Sequence, residues 1–263
     1  MNERTHLDLF SGIGGFALAA KWNGFRTLAF CDCEPYAQAV LKKHWPDVPC
    51  HKDIREVRGE LYAGVTLLTG GFPCQPFSVA GKQRGKDDNR YLWPEMLRVI
   101  REARPAWIIG ENVAGIVNMA LDTVCADLEA EGYEVEPLIV PACAVDAPHR
   151  RDRVWIIAYT EQSRWGSGEQ NIFEETGNVG EHVFFNSEGD GRNIKSFWEA
   201  KETDWSMDIK SSICRKDDGI SNSVDRIRGL GNAIVPQVAA EIIRCIGLVH
   251  DVALSTTNKP KEK

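Results

Sequence analysis

The sequence lacks the positive charge of a protein that coats a polyanion. Its 263 residues carry 31 Lys and Arg against 38 Asp and Glu, a net charge of −7. Phosphate binding is driven by Lys and Arg, so this balance excludes a uniformly basic surface. No apolar run reaches about 18 residues, so no membrane span is expected. The first residues, Met1 to His6, contain no apolar core of a secretory signal. The eight cysteines are therefore expected as thiols in a reducing compartment, the cytoplasm. No CxxC pair is present. Cys31-x-Cys33 with Cys50-His51 accordingly reads as strand and loop thiols, and no metal site is expected. Internal repeats and low-complexity tracts are absent as well.

What is present suits a buried core: 43% of residues are hydrophobic and 26% charged, ordinary globular usage. The length allows one substantial domain, or one with a small appendage. Charge is unevenly spread. Residues 160–219 hold 13 acidic and 7 basic side chains, whereas residues 82–104 hold 7 basic and 4 acidic. Arg150, Arg151 and Arg153 form a second basic knot. A local basic cleft is thus compatible with the acidic whole.

Residues 1–159 alternate between short apolar runs and helical stripes, which predicts strand, helix, strand, helix. Strands are expected at Leu7 to Phe10, Arg26 to Cys31, Val65 to Thr69, Ala106 to Gly110, Val135 to Val140 and Arg153 to Tyr159. Helices are expected up to Trp22, over Ala37 to His44, from Pro94 through Met96, Leu97 and Ile100, and along Leu121, Val124, Cys125 and Leu128. The fold class is α/β, a doubly wound, mostly parallel sheet with helices on both faces. Residues 160–219 show no sustained period and read as a small separate region. Residues 220–263 return with an apolar helix over Val235, Val238, Ala239, Ile242, Ile243 and Ile246, and a polar tail from residue 255 that is expected to fray.

Three segments carry chemistry. In Asp8-Leu9-Phe10-Ser11-Gly12-Ile13-Gly14-Gly15 a strand runs into glycines and then a helix, a pattern that lets backbone approach a nucleotide or simply makes a turn. Acids follow at Glu34 and Asp53, either of which could meet ribose hydroxyls or solvent. In Gly70-Gly71-Phe72-Pro73-Cys74-Gln75-Pro76 a cysteine stands between prolines, presented by a loop. A thiolate there needs nearby positive charge. Glu111-Asn112-Val113 places an acid at the end of another strand, where it can move a proton or cap a helix.

The order of these segments, followed by Arg151-Asp152-Arg153 and by Gly231-Asn232-Ala233-Ile234-Val235-Pro236, resembles the DNA (cytosine-5) methyltransferases, in a short form like solitary phage or prophage members. That resemblance implies a Rossmann-like S-adenosylmethionine-dependent methyltransferase domain (1–159), a small target-recognition region (160–219) and a C-terminal segment (220–263) returning to the catalytic domain. It implies Cys74 as nucleophile, Glu111 and Arg153 on the cytosine ring, and Arg151 in support of the thiolate. It implies Phe10, Gly12, Gly14, Glu34, Asp53, Ile54, Pro73, Leu92 and Asn232 around the methyl donor. Gln75 and Ser78 are expected to face DNA, with Lys82, Arg84, Lys86 and Arg90 on phosphates. The implied substrate is a flipped cytosine in duplex DNA and the implied state a monomer, with a restriction partner left open. The tRNA-methylating branch is a second reading, although its Cys-Phe-Thr element is absent. A catalytically silent DNA-binding member is a third, and the intact Cys74, Glu111 and Arg153 count against it.

Overall fold

The computed structural model describes residues 3–73, 91–145, 147, 150–160 and 233–257. The chain divides into two units, Met1–Gly166 with Ser221–Lys263, and Ser167–Ile220; every described residue belongs to the first. Its strands are β1 (Thr5–Leu9), β2 (Arg26–Cys31), β3 (Cys50–His51), β4 (Leu67–Gly70), β5 (Trp107–Val113), β6 (Tyr133–Val140) and β7 (Arg153–Thr160). Its helices are α1 (Gly15–Trp22), α2 (Pro35–His44), α3 (Trp93–Ala103), α4 (Leu121–Ala130) and α5 (Pro236–Thr257). Pro35 and Pro94 sit in first turns, where no backbone donor is lost.

The strands form one sheet in the order β3-β2-β1-β4-β5-β7-β6. Pairing is parallel from β3 to β5, while β7 runs antiparallel to both β5 and β6. Both faces are covered, and the two-residue side-chain period sorts the core accordingly. In β7, Val154, Ile156 and Ala158 join the cluster around α3 and α4, while Trp155 and Ile157 join Phe16 of α1 and Val238 and Ile243 of α5. This double burial is why β4, β5 and β7 read as continuous apolar runs.

Three expectations require correction. The strand predicted to stop at Gly110 continues to Val113, because every residue from Trp107 to Val113 has a partner in β7. Glu111 is therefore a strand residue, not the first loop residue. Cys50-His51 forms a two-residue strand against Phe30 and Cys31, too short for any periodicity to announce. The polar end of the chain predicts fraying over residues 255–263, yet α5 runs through Thr257, while 258–263 lie outside the described residues. Once nucleated on a packed face, a helix gains one hydrogen bond per added residue.

Strand β1 carries a polar chain where apolar side chains would be expected. Leu7 and Leu9 join the α3 side of the core, and the alternating His6 and Asp8 are fully buried. Thr27 Oγ1 lies 3.0 Å from His6 Nδ1, His6 Nε2 lies 2.8 Å from Thr69 Oγ1, and the Thr69 hydroxyl donates to Asp8 Oδ1 at 2.8 Å. Burial lifts the Asp8 carboxyl to about 8, with Thr69 opposing and Asp32 adding to the rise. Burial likewise drops the His6 imidazole to about 3. A carboxyl whose folded value is raised contributes stability that is full below its unfolded value of about 4 and is lost as pH rises to about 8. Asp8→Asn, neutral throughout, is expected to gain stability relative to the parent across that window, by at most about 1.4 kcal/mol per pH unit. Urea midpoints of both proteins at about pH 5, 7 and 9 measure this, and a pH-independent difference would exclude a protonated Asp8.

Candidate active site

The chain winds outward from β1 through β2 to β3, then returns on the other side of β1 to β4 and β5. The carboxyl ends of β1 and β4 thus flank a topological switch point, the crevice where open α/β sheets bind ligands. Both glycine-bearing segments leave the sheet there.

On the β1 side, Phe10, Gly12 and Gly14 all take positive φ, at 53°, 52° and 88°. Such values suit glycine and strain phenylalanine. A Cβ on Gly14 would come within 2.7 Å of the Trp45 ring, whereas one on Gly12 would meet nothing within 4 Å among the described residues. The turn is pinned to β2: the Ser11 N–H donates to the Cys31 carbonyl at 3.0 Å, and the Ser11 hydroxyl donates to the Asp8 carbonyl at 2.7 Å. Asp32 ties it to the start of α2, since its carboxylate accepts from the Gly12 N–H at 2.7 Å and from the Glu34 N–H at 2.9 Å. Burial raises the Asp32 carboxyl above its ordinary value.

The other donor-site candidates divide between wall and rim. Ile54 is buried in the α3-side core, and Phe10 and Leu92 pack partly buried against the same cluster. Glu34 is exposed at the N-cap of α2. Asp53 caps the turn Ile54–Glu56, accepting from the Arg55 N–H at 2.9 Å and pairing with the Arg55 guanidinium at 3.2 Å. Pro73 is half-buried.

On the β4 side the chain passes Glu111. A Cβ on Gly71 would lie 3.4 Å from Glu111 Oε2, so the backbone entering Pro73-Cys74 runs beside that carboxyl. Antiparallel pairing sets Arg153, the first residue of β7, opposite Val113, the last of β5. Arg153 Nε then lies 3.0 Å from Glu111 Oε1. Burial raises the Glu111 carboxyl above its usual range, while Arg153 and Arg151 hold it back. Arg151 stands in the left-handed region with φ 38° and donates to the Ala233 carbonyl at 2.7 Å. Burial lowers its ionisation, Arg153 adds to that, and Glu111 opposes it.

The structure therefore brings Glu111, Arg153 and Arg151 together, and separately Phe10, Ile54 and Leu92. Cys74, Gln75, Ser78, Lys82, Arg84, Lys86, Arg90 and Asn232 lie outside the described residues. Two residues of consequence had no role assigned from the sequence. Asp32 braces both turns, but the short acidic run Asp32-Cys33-Glu34 drew attention to Glu34. Asn112 is buried, and its amide donates to the Phe72 carbonyl at 2.8 Å while its oxygen accepts from the Val113 N–H at 3.0 Å. Its place within Glu111-Asn112-Val113 was the available signal.

These features define a Rossmann-like α/β protein with a glycine turn after β1 and an acid–arginine pair beside the loop after β4. The model of the C-5 cytosine-specific DNA methylase family matches residues 5–214, and the chain belongs to that family. It is 36% identical over 189 residues to the type II methyltransferase M.NgoMIV of Neisseria gonorrhoeae, a match covering 68% of this chain and 60% of that protein. It is 34% identical over 166 residues to the type II methyltransferase M.AplI of Arthrospira platensis, covering 62% and 48%. The chain spans about half the length of the curated relatives it matches. Among solved structures it resembles Spodoptera frugiperda DNMT2, with a TM-score of 0.54 and 22% identity over 65% of this chain and 54% of that one. The S. pombe Dnmt2 methyltransferase gives 0.51 and 22% over 65% and 52%. At that identity the likeness is one of fold.

This family and fold use S-adenosylmethionine as methyl donor. The residues present fit it: space above Gly12 that no described residue fills, an apolar wall from Phe10, Ile54 and Leu92, and the Glu34 carboxylate on the segment that Asp32 joins to the turn. No described helix is long and apolar enough to cross a membrane.

Asn112→Ala removes the donor to Phe72 and leaves a buried carbonyl without that hydrogen bond. Loss of such a bond costs about 1–3 kcal/mol. The variant is expected to unfold at lower urea and to lose turnover more than donor affinity, since the chain it holds leads to Cys74. Retained turnover in a destabilised Asn112→Ala protein would make Asn112 a purely structural residue.

Proposed function

We propose that this protein transfers a methyl group to C5 of a flipped cytosine in a specific duplex DNA sequence through a covalent Cys74–C6 intermediate. The observation that carries the reading is the buried Glu111 carboxyl, paired at 3.0 Å with Arg153 and set beside the backbone that leads into Pro73-Cys74. S-adenosylmethionine supplies an electrophilic methyl on a sulfonium, with Phe10, Gly12, Gly14, Glu34, Asp53, Ile54, Pro73, Leu92 and Asn232 as its candidate contacts.

The chain's own groups address the ring. C5 of cytosine is a poor nucleophile until a thiolate adds to C6 and makes it enamine-like, which is the task of Cys74. Burial raises the Glu111 carboxyl above its usual range, which favours its protonated form relative to a solvated acid, so Glu111 suits proton donation at N3 as charge builds on the ring. The Arg153 guanidinium, already pointed at Glu111, suits the adjoining O2. C5 then takes the methyl as the bond from methyl to the sulfonium sulfur breaks, leaving a neutral thioether. A base takes the C5 proton, the Cys74 thiolate leaves C6, and N3 returns its proton to Glu111. C5 is inaccessible within a stacked duplex, which is why the base must be flipped out.

DNA is favoured over tRNA because the matching family is one of DNA methylases and the curated relatives are type II methyltransferases. The reading places the catalytic domain at 1–159, target recognition in 160–219 and the closing segment at 220–263. Phosphate contacts are assigned to Lys82, Arg84, Lys86 and Arg90, with Gln75 and Ser78 facing DNA, because residues 160–219 are too acidic to supply most of them. Nucleophile, acid and arginines all lie on one chain, so the reading is of a monomer, in the cytoplasm where Cys74 stays reduced.

Cys74→Ser is expected to abolish methylation while leaving S-adenosylmethionine binding nearly intact, since a hydroxyl is a far weaker nucleophile at neutral pH. Duplex DNA containing 5-fluorocytosine is expected to trap the parent in a gel-stable adduct, because no proton can leave C5. Transfer by the Ser variant at more than a few per cent of the parent rate, or no adduct, would overturn the covalent scheme. Exchanging residues 160–219 for those of a relative is expected to switch the methylated sequence with turnover retained. Bisulfite sequencing of the host DNA reads the outcome, and an unchanged site would move recognition elsewhere.

A further inference from the structure

Arg151 makes a contact that support of a thiolate does not explain. Its guanidinium donates to the carbonyl of Ala233, 82 positions along the chain, at 2.7 Å. The next residue, Ile234, packs on the other side against the glycine turn. A Cβ on Gly15, the first residue of α1, would come within 2.6 Å of Ile234 Cγ1. Ile234 and Val235 also join the cluster of Phe16, Trp155 and Val238. The segment entering α5 is thus held between β7 and the glycine turn by one charged hydrogen bond and one close contact that only glycine permits.

We infer that Arg151 is a positioning residue that straps the start of α5 onto the glycine turn, and so sustains donor affinity without touching the cytosine. This rests on the methyl-transfer reading for the identity of the donor, but not for the strap itself. The backbone of Arg151 stands in the left-handed region, with φ 38°. Arg153, two residues on, pairs directly with Glu111 at 3.0 Å, whereas Arg151 acts on Glu111 through its charge and donates to Ala233, so the two arginines divide the work. The body of α5 is anchored elsewhere: Asn23 donates to the Ala240 carbonyl at 3.0 Å, and Arg4 is paired with Asp251. Loss of Arg151 therefore frees only the entry to the helix, where the Val238 and Ala239 N–H groups donate to the Val235 carbonyl.

Two measurements on the full chain test this, hydrogen exchange without donor and calorimetry with S-adenosylmethionine. Arg151→Ala is expected to speed exchange at Val238 and Ala239 but not beyond Ile243. It is expected to weaken S-adenosylmethionine binding about tenfold to a hundredfold, the range for a hydrogen bond to a charged group. Turnover at saturating donor is expected to fall far less than donor affinity. Arg151→Lys, which keeps a cationic donor, is expected to recover part of both losses. Gly15→Ala, which pushes Ile234 away from the opposite side, is expected to reproduce both. Unchanged exchange in Arg151→Ala, or donor affinity retained while turnover collapses, would overturn the proposal and return Arg151 to the reacting ring. If the parent itself binds no S-adenosylmethionine, the methyl-transfer reading fails, and the exchange measurement still decides whether the strap exists.

Discussion

The antiparallel pairing of β5 with β7 is the constraint on which the site depends. In a wholly parallel sheet the first residues of every strand lie at the edge opposite the crevice. Reversing β7 carries its first residue, Arg153, to the carboxyl end of β5, opposite Val113. A buried carboxylate is costly unless paired, and this reversal supplies the partner of Glu111 at 3.0 Å. It also extends β5 through Val113, which gives Glu111 and Asn112 the fixed backbone of a strand. The acid consequently points at the Gly71 backbone and the amide at the Phe72 carbonyl.

The opposite half of the crevice is organised by polar side chains acting on backbone. Asp32 accepts from Gly12 and Glu34, Ser11 bridges Asp8 and Cys31, and Arg151 reaches the Ala233 carbonyl. Irregular backbone at a sheet edge leaves N–H and C=O groups without ladder partners, and these contacts satisfy them. The left-handed residues Phe10, Gly12 and Gly14 are tolerated for the same reason: the surroundings over-determine them. The turn is thereby pinned, and no described residue fills the space above Gly12.

The centre of the sheet accepts a cost that an apolar core would avoid. The chain Thr27–His6–Thr69–Asp8 fills positions where aliphatic residues would pack, and Asp8 Oδ2 has no hydrogen-bond partner among the described residues. Both titratable members remain neutral there: the imidazole is depressed to about 3 and the carboxyl raised to about 8. Asp8 directly precedes Leu9 and the glycine turn, so this network underlies the glycine-turn side of the crevice and ties β1 to β2 and β4 beneath it.

What the sequence by itself determined was local. Short apolar runs specified β1, β2, β4 and β7, the i, i+3, i+4 stripe and an early proline specified α3, and together they specified an α/β sheet covered on both faces. The same local chemistry announced the glycine turn and singled out Glu111, because glycine runs and acids at strand ends are readable without knowing their neighbours. Only the tertiary structure decided which residues meet. The reversal of β7 leaves no mark on a strand buried on both faces, since either direction buries the same side chains. Asp32 and Asn112 act on backbone groups 20 and 40 positions away, and Arg151 on one 82 positions away. The two-residue β3 exists only because Phe30 and Cys31 offer it a partner. A hydrogen bond between distant positions depends on where the fold brings their backbones, and no periodicity along the chain encodes that distance.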